Sequence, residues 1–243
     1  MGDVAPQERL ATLPEGLPKF TLGYEALAWA AKYLRHPNGL RAGKAWQFTR
    51  EQARFVLWFY ALDENGRWLF HHGARRLAKG SGKSPFAAVM ALIELLAPVR
   101  FDHWDPDVPG GVAGKPVSMP WVQIAAVSLD QTENTMRMVR AMASPANAPA
   151  LHRDYSLDVG KTQIFVQPEG KLEVITSSAA TAEGAESTFV IGDELEHWTP
   201  SNGGAELHAT LMDNLSKSGS RMLETLNAWK PSINSAGEST FND

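Results

Sequence analysis

The ten residues from 75 to 84, R-R-L-A-K-G-S-G-K-S, place the strongest restriction on how this chain can fold. Gly80 and Gly82 would let the backbone turn tightly and bring its N–H groups close to phosphate oxygens. Lys83 would then reach the β- and γ-phosphates of a nucleotide, and the hydroxyl of Ser84 would hold Mg²⁺. The stretch, called the glycine loop below, therefore predicts a phosphate-binding loop between a strand and a helix.

The segment after the glycine loop supports this interpretation. Residues 85–96 are almost entirely apolar and begin with proline, which is favoured in the first turn of a helix. Such a helix would direct the positive end of its dipole at a bound anion. The loop departs from the G-x-x-x-x-G-K-[ST] template at Leu77, where the template has glycine. The alternative is a surface turn that matches the template by chance.

A second motif ends another apolar stretch. Residues 188–194 read T-F-V-I-G-D-E, the pattern of a Walker B strand. Asp193 would enter the Mg²⁺ shell, and Glu194 would polarise the attacking water as general base. Acids often end strands, so this motif alone is weak. Its position about 110 residues after the glycine loop makes the two motifs together much stronger evidence than either alone, because the pair would form one Mg-ATP site. The sequence therefore predicts an ATPase.

Composition narrows the class of protein. The 243 residues carry a formal net charge of −4, so overall charge does not indicate nucleic-acid binding. The chain has no cysteine, which excludes disulfides and thiolate metal sites. Its first residues lack the pattern of a signal peptide, and no apolar run approaches the length of a membrane span. We expect a soluble protein without a membrane partner, whose basic cluster at residues 75–83 serves nucleotide phosphates.

Other polar residues are candidates for the same site. Gln52 follows Thr49 at the spacing of a capping box, and its amide would alternatively read the edge of an adenine base. Arg137 and Arg140 lie on a predicted helix. They form either a solvated face or, for one of them, an arginine finger that reaches the γ-phosphate of a neighbouring subunit in a ring.

A polar pair near the end of the chain is a further candidate. Thr225 and Asn227 lie at the carboxyl end of a predicted strand, where open α/β sheets place functional groups. They would sense the γ-phosphate and couple hydrolysis to motion, or they are only a polar strand end. The complete candidate site comprises Glu194, Lys83, Arg76 and Arg140 as catalytic residues, Gln52, Arg75, Lys79, Gly80, Ser81, Gly82, Lys83 and Ser84 for the nucleotide, Ser84 and Asp193 for the metal, and Thr225 and Asn227 for coupling.

The alternation of apolar strands and helices predicts an α/β fold. We expect a P-loop NTPase of the ASCE or RecA-like class, a three-layer sandwich with a mainly parallel central sheet, helices on both faces and a β-hairpin insertion. The predicted domains are an irregular lead-in at 1–18, an ATPase domain at 19–230 and a polar tail at 231–243. The predicted elements are helices at 24–34, 52–62, 85–96, 131–142 and 206–215, strands at 67–72, 121–127, 162–166, 172–176, 188–194 and 221–228, a surface excursion at 101–120, and loops at 143–158 and 177–187.

Taken together, residues 18–240 resemble the N-terminal ATPase domain of the large terminase subunit of tailed double-stranded-DNA phages. The resemblance rests on the helix with Gln52, the arginine-led glycine loop, the strand at 124–127 with its helix, the hairpin and the 177–186 loop, the acids at 193–194, and Thr225-Leu226-Asn227. Terminase loops often lack the first glycine and carry basic residues there, so Leu77 agrees with this family.

The resemblance implies an activity and partners. It implies Mg-dependent ATP hydrolysis that drives double-stranded DNA into a procapsid, in the host cytoplasm at the portal vertex. It implies a homo-oligomeric ring that meets the portal protein and the small terminase subunit, with the isolated chain monomeric. A terminase nuclease domain would follow residue 243, the tail at 231–243 being the start of its linker, so no DNA cleavage is expected of this chain.

Three other readings remain open. A superfamily-two-like helicase is supported by D-E-x-E-H at 193–197 and the upstream glutamine, but it needs a second RecA-like domain. A nucleotide-binding switch or scaffold with little turnover is favoured slightly by Leu77 and disfavoured by Glu194, because a switch needs no general base. A metal hydrolase would use His197, but the histidines are too scattered to form a ligand set.

Overall fold

The computed structural model describes residues 13–177 and 186–242, without the side chains of 216–218 and 242. The helices are α1 (Gly23–Tyr33), α2 (Arg50–Phe59), α3 (Lys83–Leu96), α4 (Leu129–Ala143), α5 (Pro149–Asp154), α6 (Gly204–Ser218) and α7 (Ala236–Asn242), with short 3₁₀ turns at Gly39–Arg41, Leu195–His197 and Pro200–Asn202. The strands are β1 (Phe20–Thr21), β2 (Ala61–Leu62), β3 (His72–Arg76), β4 (Arg100–Trp104), β5 (Val112–Lys115), β6 (Trp121–Ala126), β7 (Leu157–Val159), β8 (Gln163–Val166), β9 (Gly170–Thr176), β10 (Phe189–Asp193) and β11 (Arg221–Leu226). Most of the predicted lead-in at 1–18 and of the predicted loop at 177–187 lies outside the described residues.

A seven-stranded sheet forms the centre of the fold, in the order β3-β11-β10-β6-β9-β8-β7. The five strands from β3 to β9 are parallel, and β8 runs antiparallel to both of its neighbours. The predicted hairpin is therefore part of the sheet, because its second strand pairs with β6. Strand β11 lies between β3 and β10, in a register that sets Thr225 beside both Asp193 and Arg75. The glycine loop and the paired acids thus follow strands that end at the same edge of the sheet.

Helices cover both faces of the sheet. Neighbouring residues of a strand point to opposite faces, so Ile191 of β10 enters one core and Val190 enters the other. Helices α1 to α5 contribute to the first core, in which nearly all of α3 is buried. The second core receives three leucines of α6, at the predicted spacing, and the start of α7. The predicted three-layer arrangement is confirmed. No helix among the described residues is long and apolar enough to cross a membrane.

The strand before the glycine loop lies later than predicted. The apolar stretch at 67–72 indicated a strand, but the ladder with β11 starts only at His72 and runs through Arg76. Arg75 and Arg76 therefore belong to β3 and not to the loop. The apolar residues at 67–71 have a different packing role, shown by Trp68, whose ring stacks on the buried guanidinium of Arg221 at 4.0 Å.

Three segments that were predicted to be irregular have regular structure. Residues 101–120 contain the β4–β5 hairpin, whose Gly114 packs so closely that a Cβ would lie 1.9 Å from the Pro98 carbonyl oxygen. Residues 143–158 contain α5 and the start of β7. The tail contains α7, in which Ala236 is buried and donates its N–H to the carbonyl of Trp198 at 2.7 Å. Tertiary contacts stabilise these elements, so polar composition did not reveal them.

A buried ion pair joins α3 to β11. Arg221 and Glu94 are both fully buried, with 3.1 Å between Nη1 and Oε1. The same carboxylate accepts a hydrogen bond from the Tyr60 hydroxyl at 2.8 Å and lies 2.8 Å from Arg100. Burial lowers the pKa of Arg221 to about 10 although the charge of Glu94 opposes this shift, so the guanidinium remains charged at neutral pH. The pair fixes the helix after the glycine loop to the strand that carries Thr225.

A second buried carboxylate joins the sheet to the helices on its other face. Glu224 of β11 is fully buried and lies 3.0 Å from His72 and 2.6 Å from His208 of α6. It also accepts a hydrogen bond from the Thr240 hydroxyl of α7 at 3.0 Å. Burial opposes the charged form of Glu224, but the two histidines outweigh it and hold the pKa of this carboxyl far below its usual range.

Candidate functional site

The glycine loop leaves β3 after Arg76 and enters α3 at Lys83. Gly80 and Gly82 have φ angles of +82° and +83°, in the left-handed region that glycine adopts without strain. Among the described residues, no atom other than those of the glycine and its two chain neighbours lies within 4 Å of the position of a Cβ at either glycine. The requirement for glycine is therefore conformational and does not come from close packing.

Lys83 is held inside the glycine loop. Its Nζ donates to the carbonyl oxygens of Leu77 and Ala78 at 3.0 Å each and to Oδ1 of Asn227 at 2.6 Å. Lys83 is also the first residue of α3, and the first N–H groups of a helix have no acceptor within it. Half-buried Ser84 follows. An ammonium group, a hydroxyl and helix-start N–H groups are thus present within two consecutive residues.

Asp193 is the last residue of β10 and is only 2% exposed. Its Oδ1 accepts a hydrogen bond from the Thr225 hydroxyl at 2.6 Å, and its Oδ2 accepts one from the Thr135 hydroxyl at 2.5 Å. Its backbone carbonyl accepts the indole N–H of Trp198 at 2.9 Å. Burial raises the pKa of Asp193, and the two hydroxyl hydrogen bonds act against this shift. The orientation of the carboxylate is thus set from two elements, β11 and α4.

Glu194 has an uncommon backbone conformation. Its φ is +57°, which costs energy for a residue with a side chain and tends to occur at functional positions. The side chain is half-buried. Burial raises the pKa of its carboxyl, and the charges of Asp193 and Glu196 raise it further.

Asn227 connects the glycine loop to the segment after the paired acids. While its Oδ1 accepts from Lys83, its backbone N–H donates to Oε2 of Glu196 at 3.0 Å and its side-chain amide donates to Oε1 of the same residue. Glu196 is 5% exposed. This chain of hydrogen bonds runs from the loop lysine through Asn227 to a residue three positions after Asp193.

Arg75 lies on β3 just before the loop, and Gln52 lies in the first turn of α2. The buried guanidinium of Arg75 stacks on Phe86 at 4.1 Å and pairs with Glu51 at 2.5 Å. Burial lowers its pKa, and the charge of Glu51 opposes this. Gln52 accepts the backbone N–H of Thr49 at 3.0 Å and donates its own backbone N–H to the Thr49 hydroxyl at 3.2 Å. The predicted capping box is confirmed.

The remaining candidates lie at the surface. Arg76 is exposed and stacks on the rings of Trp229 and Phe241 at 4.8 and 5.0 Å. Lys79 and Ser81 are exposed in the loop, where the Ser81 N–H donates to the Ala78 carbonyl at 3.2 Å. Arg140 of α4 is paired with Glu133 at 2.6 Å and donates to the Lys161 carbonyl at 2.8 Å. Arg137, on the same helix, is exposed.

Two residues of this cluster had no role in the sequence analysis. Glu196 was noted only as part of D-E-x-E-H, and its contact with Asn227 joins residues 31 positions apart. Thr135 is a threonine within a helix, and nothing in the local pattern indicates that it contacts an aspartate 58 positions away. The one indication in the sequence is that this polar residue lies on the face of the helix that is predicted to be buried.

No protein-family model matches the chain. The Gene 13 proteins of Mycobacterium phages L5 and D29 are each 35% identical to it, over 93% and 92% of this chain and 41% of their own length. The crystal structure of the HK97 bacteriophage large terminase matches with a TM-score of 0.60 and 14% identity, over 86% of this chain and 38% of that one. Over most of its length, this chain has the fold of part of a phage large terminase. The resemblance predicted from the sequence is confirmed.

The likeness to the HK97 large terminase covers most of the present chain, whereas this chain spans about two fifths of the length of its Mycobacterium phage relatives. At 14% identity the structural likeness concerns the fold.

Proposed function

We propose that this chain is the ATPase part of a DNA-packaging motor, which hydrolyses ATP with Mg²⁺ to move double-stranded DNA into a procapsid. The observation that carries the proposal is the edge of the sheet where β3, β11 and β10 end side by side. There Asn227 contacts Lys83 of the glycine loop, and Thr225, two residues before it, contacts Asp193. A phosphate-binding lysine and an acid suited to a metal are thus linked through one intervening strand.

The glycine loop would bind the phosphates of ATP. Gly80, Ser81 and Gly82 would offer backbone N–H groups, Lys79 and Lys83 would offer charge, and the helix dipole of α3 would favour the anion. Arg75 would contribute its charge from β3, just before the loop. Gln52, whose amide already caps α2, would contact adenine through its remaining hydrogen-bonding capacity.

The donor set fits Mg²⁺. Ser84 supplies a hydroxyl and Asp193 a carboxylate, both hard oxygen ligands, and Mg²⁺ commonly takes only one or two protein ligands beside phosphates and waters. When bound, Mg²⁺ neutralises phosphate charge and orients the phosphoryl group.

Glu194 would be the general base. It follows Asp193 directly and has a strained backbone; one acid would serve the metal and the other the water. The Asn227–Glu196 contact would report the state of Lys83 to the segment after these acids. We assign coupling of hydrolysis to motion to Thr225 and Asn227 on this basis.

The motor role extends the proposal to partners. The chain would act as a homo-oligomeric ring with the portal protein and the small terminase subunit, at the portal vertex in the host cytoplasm. Arg76 or Arg140 would complete the site of a neighbouring subunit. The support is the large-terminase fold together with the phage origin of the 35% identical relatives. We retain the ASCE or RecA-like class as part of this proposal.

Two variants test the ATP site. Lys83→Ala should abolish binding of a fluorescent ATP analogue, because the loop loses its phosphate-binding ammonium group. Glu194→Gln should keep that binding and lose Mg-dependent hydrolysis, because the general base is removed and the loop is not. Arg153→Ala, at an exposed position of α5 where the guanidinium pairs with its neighbour Asp154, is the matched control and should change neither. Normal hydrolysis by Glu194→Gln would refute the base assignment, and unchanged binding by Lys83→Ala would refute the nucleotide site.

A further inference from the structure

The carboxylate of Asp193 is held by hydroxyl groups from two different layers of the fold. Thr225 belongs to β11, the strand beside Asp193, and donates to Oδ1 at 2.6 Å. Thr135 belongs to α4, which packs on the face of the sheet, and donates to Oδ2 at 2.5 Å. Both threonines are fully buried. Each oxygen of the carboxylate therefore has its own donor, and one of the donors comes from a helix.

The contact of Thr135 is not the one that a threonine in a helix usually makes. Such a hydroxyl commonly bonds back to a carbonyl three or four residues earlier in the same helix. Thr132, one turn before Thr135 and also buried, does this, since its hydroxyl donates to the Leu129 carbonyl at 2.7 Å. Thr135 instead donates out of its helix to Asp193. The two threonines share a helix and a buried environment and differ in this one contact.

We propose that Thr135 is a positioning residue for the metal site, whose hydroxyl fixes the orientation of the Asp193 carboxylate and fastens it to α4. The inference rests on the proposed function, in which Asp193 serves Mg²⁺. A ligand that keeps only one of two orienting hydrogen bonds can rotate, so its remaining oxygen lone pairs are no longer presented in one direction. Loss of such a supporting contact typically weakens metal affinity by about 10–100-fold. Thr135 contacts neither nucleotide nor metal in this account and acts through Asp193 alone.

The test separates metal affinity from nucleotide affinity. Thr135→Val keeps the branched shape and removes the hydroxyl. A fluorescent ATP analogue is titrated into the protein in EDTA, and Mg²⁺ is then titrated at a fixed nucleotide concentration. We expect the Mg²⁺ concentration at half-saturation to rise about tenfold or more, with nucleotide affinity in EDTA unchanged. Thr132→Val is the matched control and should leave both values as in the wild type, and Thr135→Ser should restore the wild-type Mg²⁺ value.

Two results would overturn the inference. One is a Thr135→Val protein whose half-saturation for Mg²⁺ equals that of the wild type, and the other is a Thr132→Val protein with an equal rise. If Thr135→Val does not fold, Thr135→Ser and Thr135→Ala replace it, since both are smaller than threonine and differ from each other only in the hydroxyl. Equal half-saturation concentrations of Mg²⁺ for these two variants would also refute the positioning role of Thr135. A wild-type protein that binds nucleotide without any effect of Mg²⁺ would instead refute the proposed function, and with it the metal role of Asp193.

Discussion

The buried pair between Arg221 and Glu94 allows a quantitative prediction for the stability of the fold. Arg221→Met removes the cation and keeps an unbranched side chain. Glu94 would then stay fully buried, with the Tyr60 hydroxyl and Arg100 as its partners. Removal of one member of a buried ion pair costs about 3–5 kcal/mol, because the other charge is left without compensation.

The structure sets the expected value near the lower limit of that range. Arg100 remains 2.8 Å from the carboxylate, and its side chain is 22% exposed, so Glu94 keeps one cation. We therefore expect a loss of about 3 kcal/mol from a domain stability of about 5–15 kcal/mol. For a chain of this length, that corresponds to a melting temperature lower by about 6–12 °C.

Urea unfolding followed by circular dichroism measures this loss. Arg100→Met is the matched control, since it removes the more exposed cation from the same carboxylate, and it should cost about 1 kcal/mol or less. The double variant Arg221→Met/Glu94→Leu should recover part of the loss, because both of the fully buried charges are removed. A loss for Arg221→Met no greater than for Arg100→Met would refute the view that this pair anchors α3 to β11.

Three further predictions concern other positions. Because the pKa of Glu224 is depressed in the folded state, its carboxylate contributes fully to stability above the unfolded-state pKa of about 4.3, and this contribution is lost as the pH falls towards the lower folded-state pKa. In urea unfolding, the difference in stability between the wild type and Glu224→Gln should therefore shrink below about pH 4.3. A difference that does not change with pH would contradict the pairing of Glu224 with the histidines. Thr49→Ala and Gln52→Ala should each lower stability by about 1 kcal/mol, whereas only Gln52→Ala should weaken ATP binding in a fluorescence titration; equal affinities would leave Gln52 as a cap alone. Gly82 has a φ of +83°, so Gly82→Ala should lower stability by about 1–2 kcal/mol through backbone strain and should also reduce affinity for phosphate. Unchanged stability in thermal unfolding would contradict the conformational role of this glycine.

The parts of the fold that the sequence predicted are those encoded by neighbouring residues. Glycines with positive φ in the loop, the Thr49–Gln52 capping box and the leucine spacing of α6 all depend on short-range geometry. The apolar strand that ends in Asp193 is of the same kind, because a short apolar run bounded by acids shows where a buried parallel strand stops.

The parts that could not be predicted depend on contacts between distant residues. Thr135 meets Asp193 and Glu196 meets Asn227 only after the sheet has formed. The β4–β5 hairpin and α7 have the composition of loops, and they are ordered by packing against the rest of the chain. The start of β3 was misplaced because the pairing with β11, and not local hydrophobicity, determines where the ladder begins.

The measurement that tests the central claim most directly is the rate of Mg-dependent ATP hydrolysis per protomer over a wide range of protein concentration, with Glu194→Gln as the blank. We predict a rate above the blank that rises with concentration, because in the proposed ring a neighbouring subunit would supply a cation to the site at the end of β10. A substantial rate that does not change with concentration would contradict the ring motor and favour a self-sufficient, helicase-like site. A rate equal to the blank at every concentration would contradict the ATPase assignment itself.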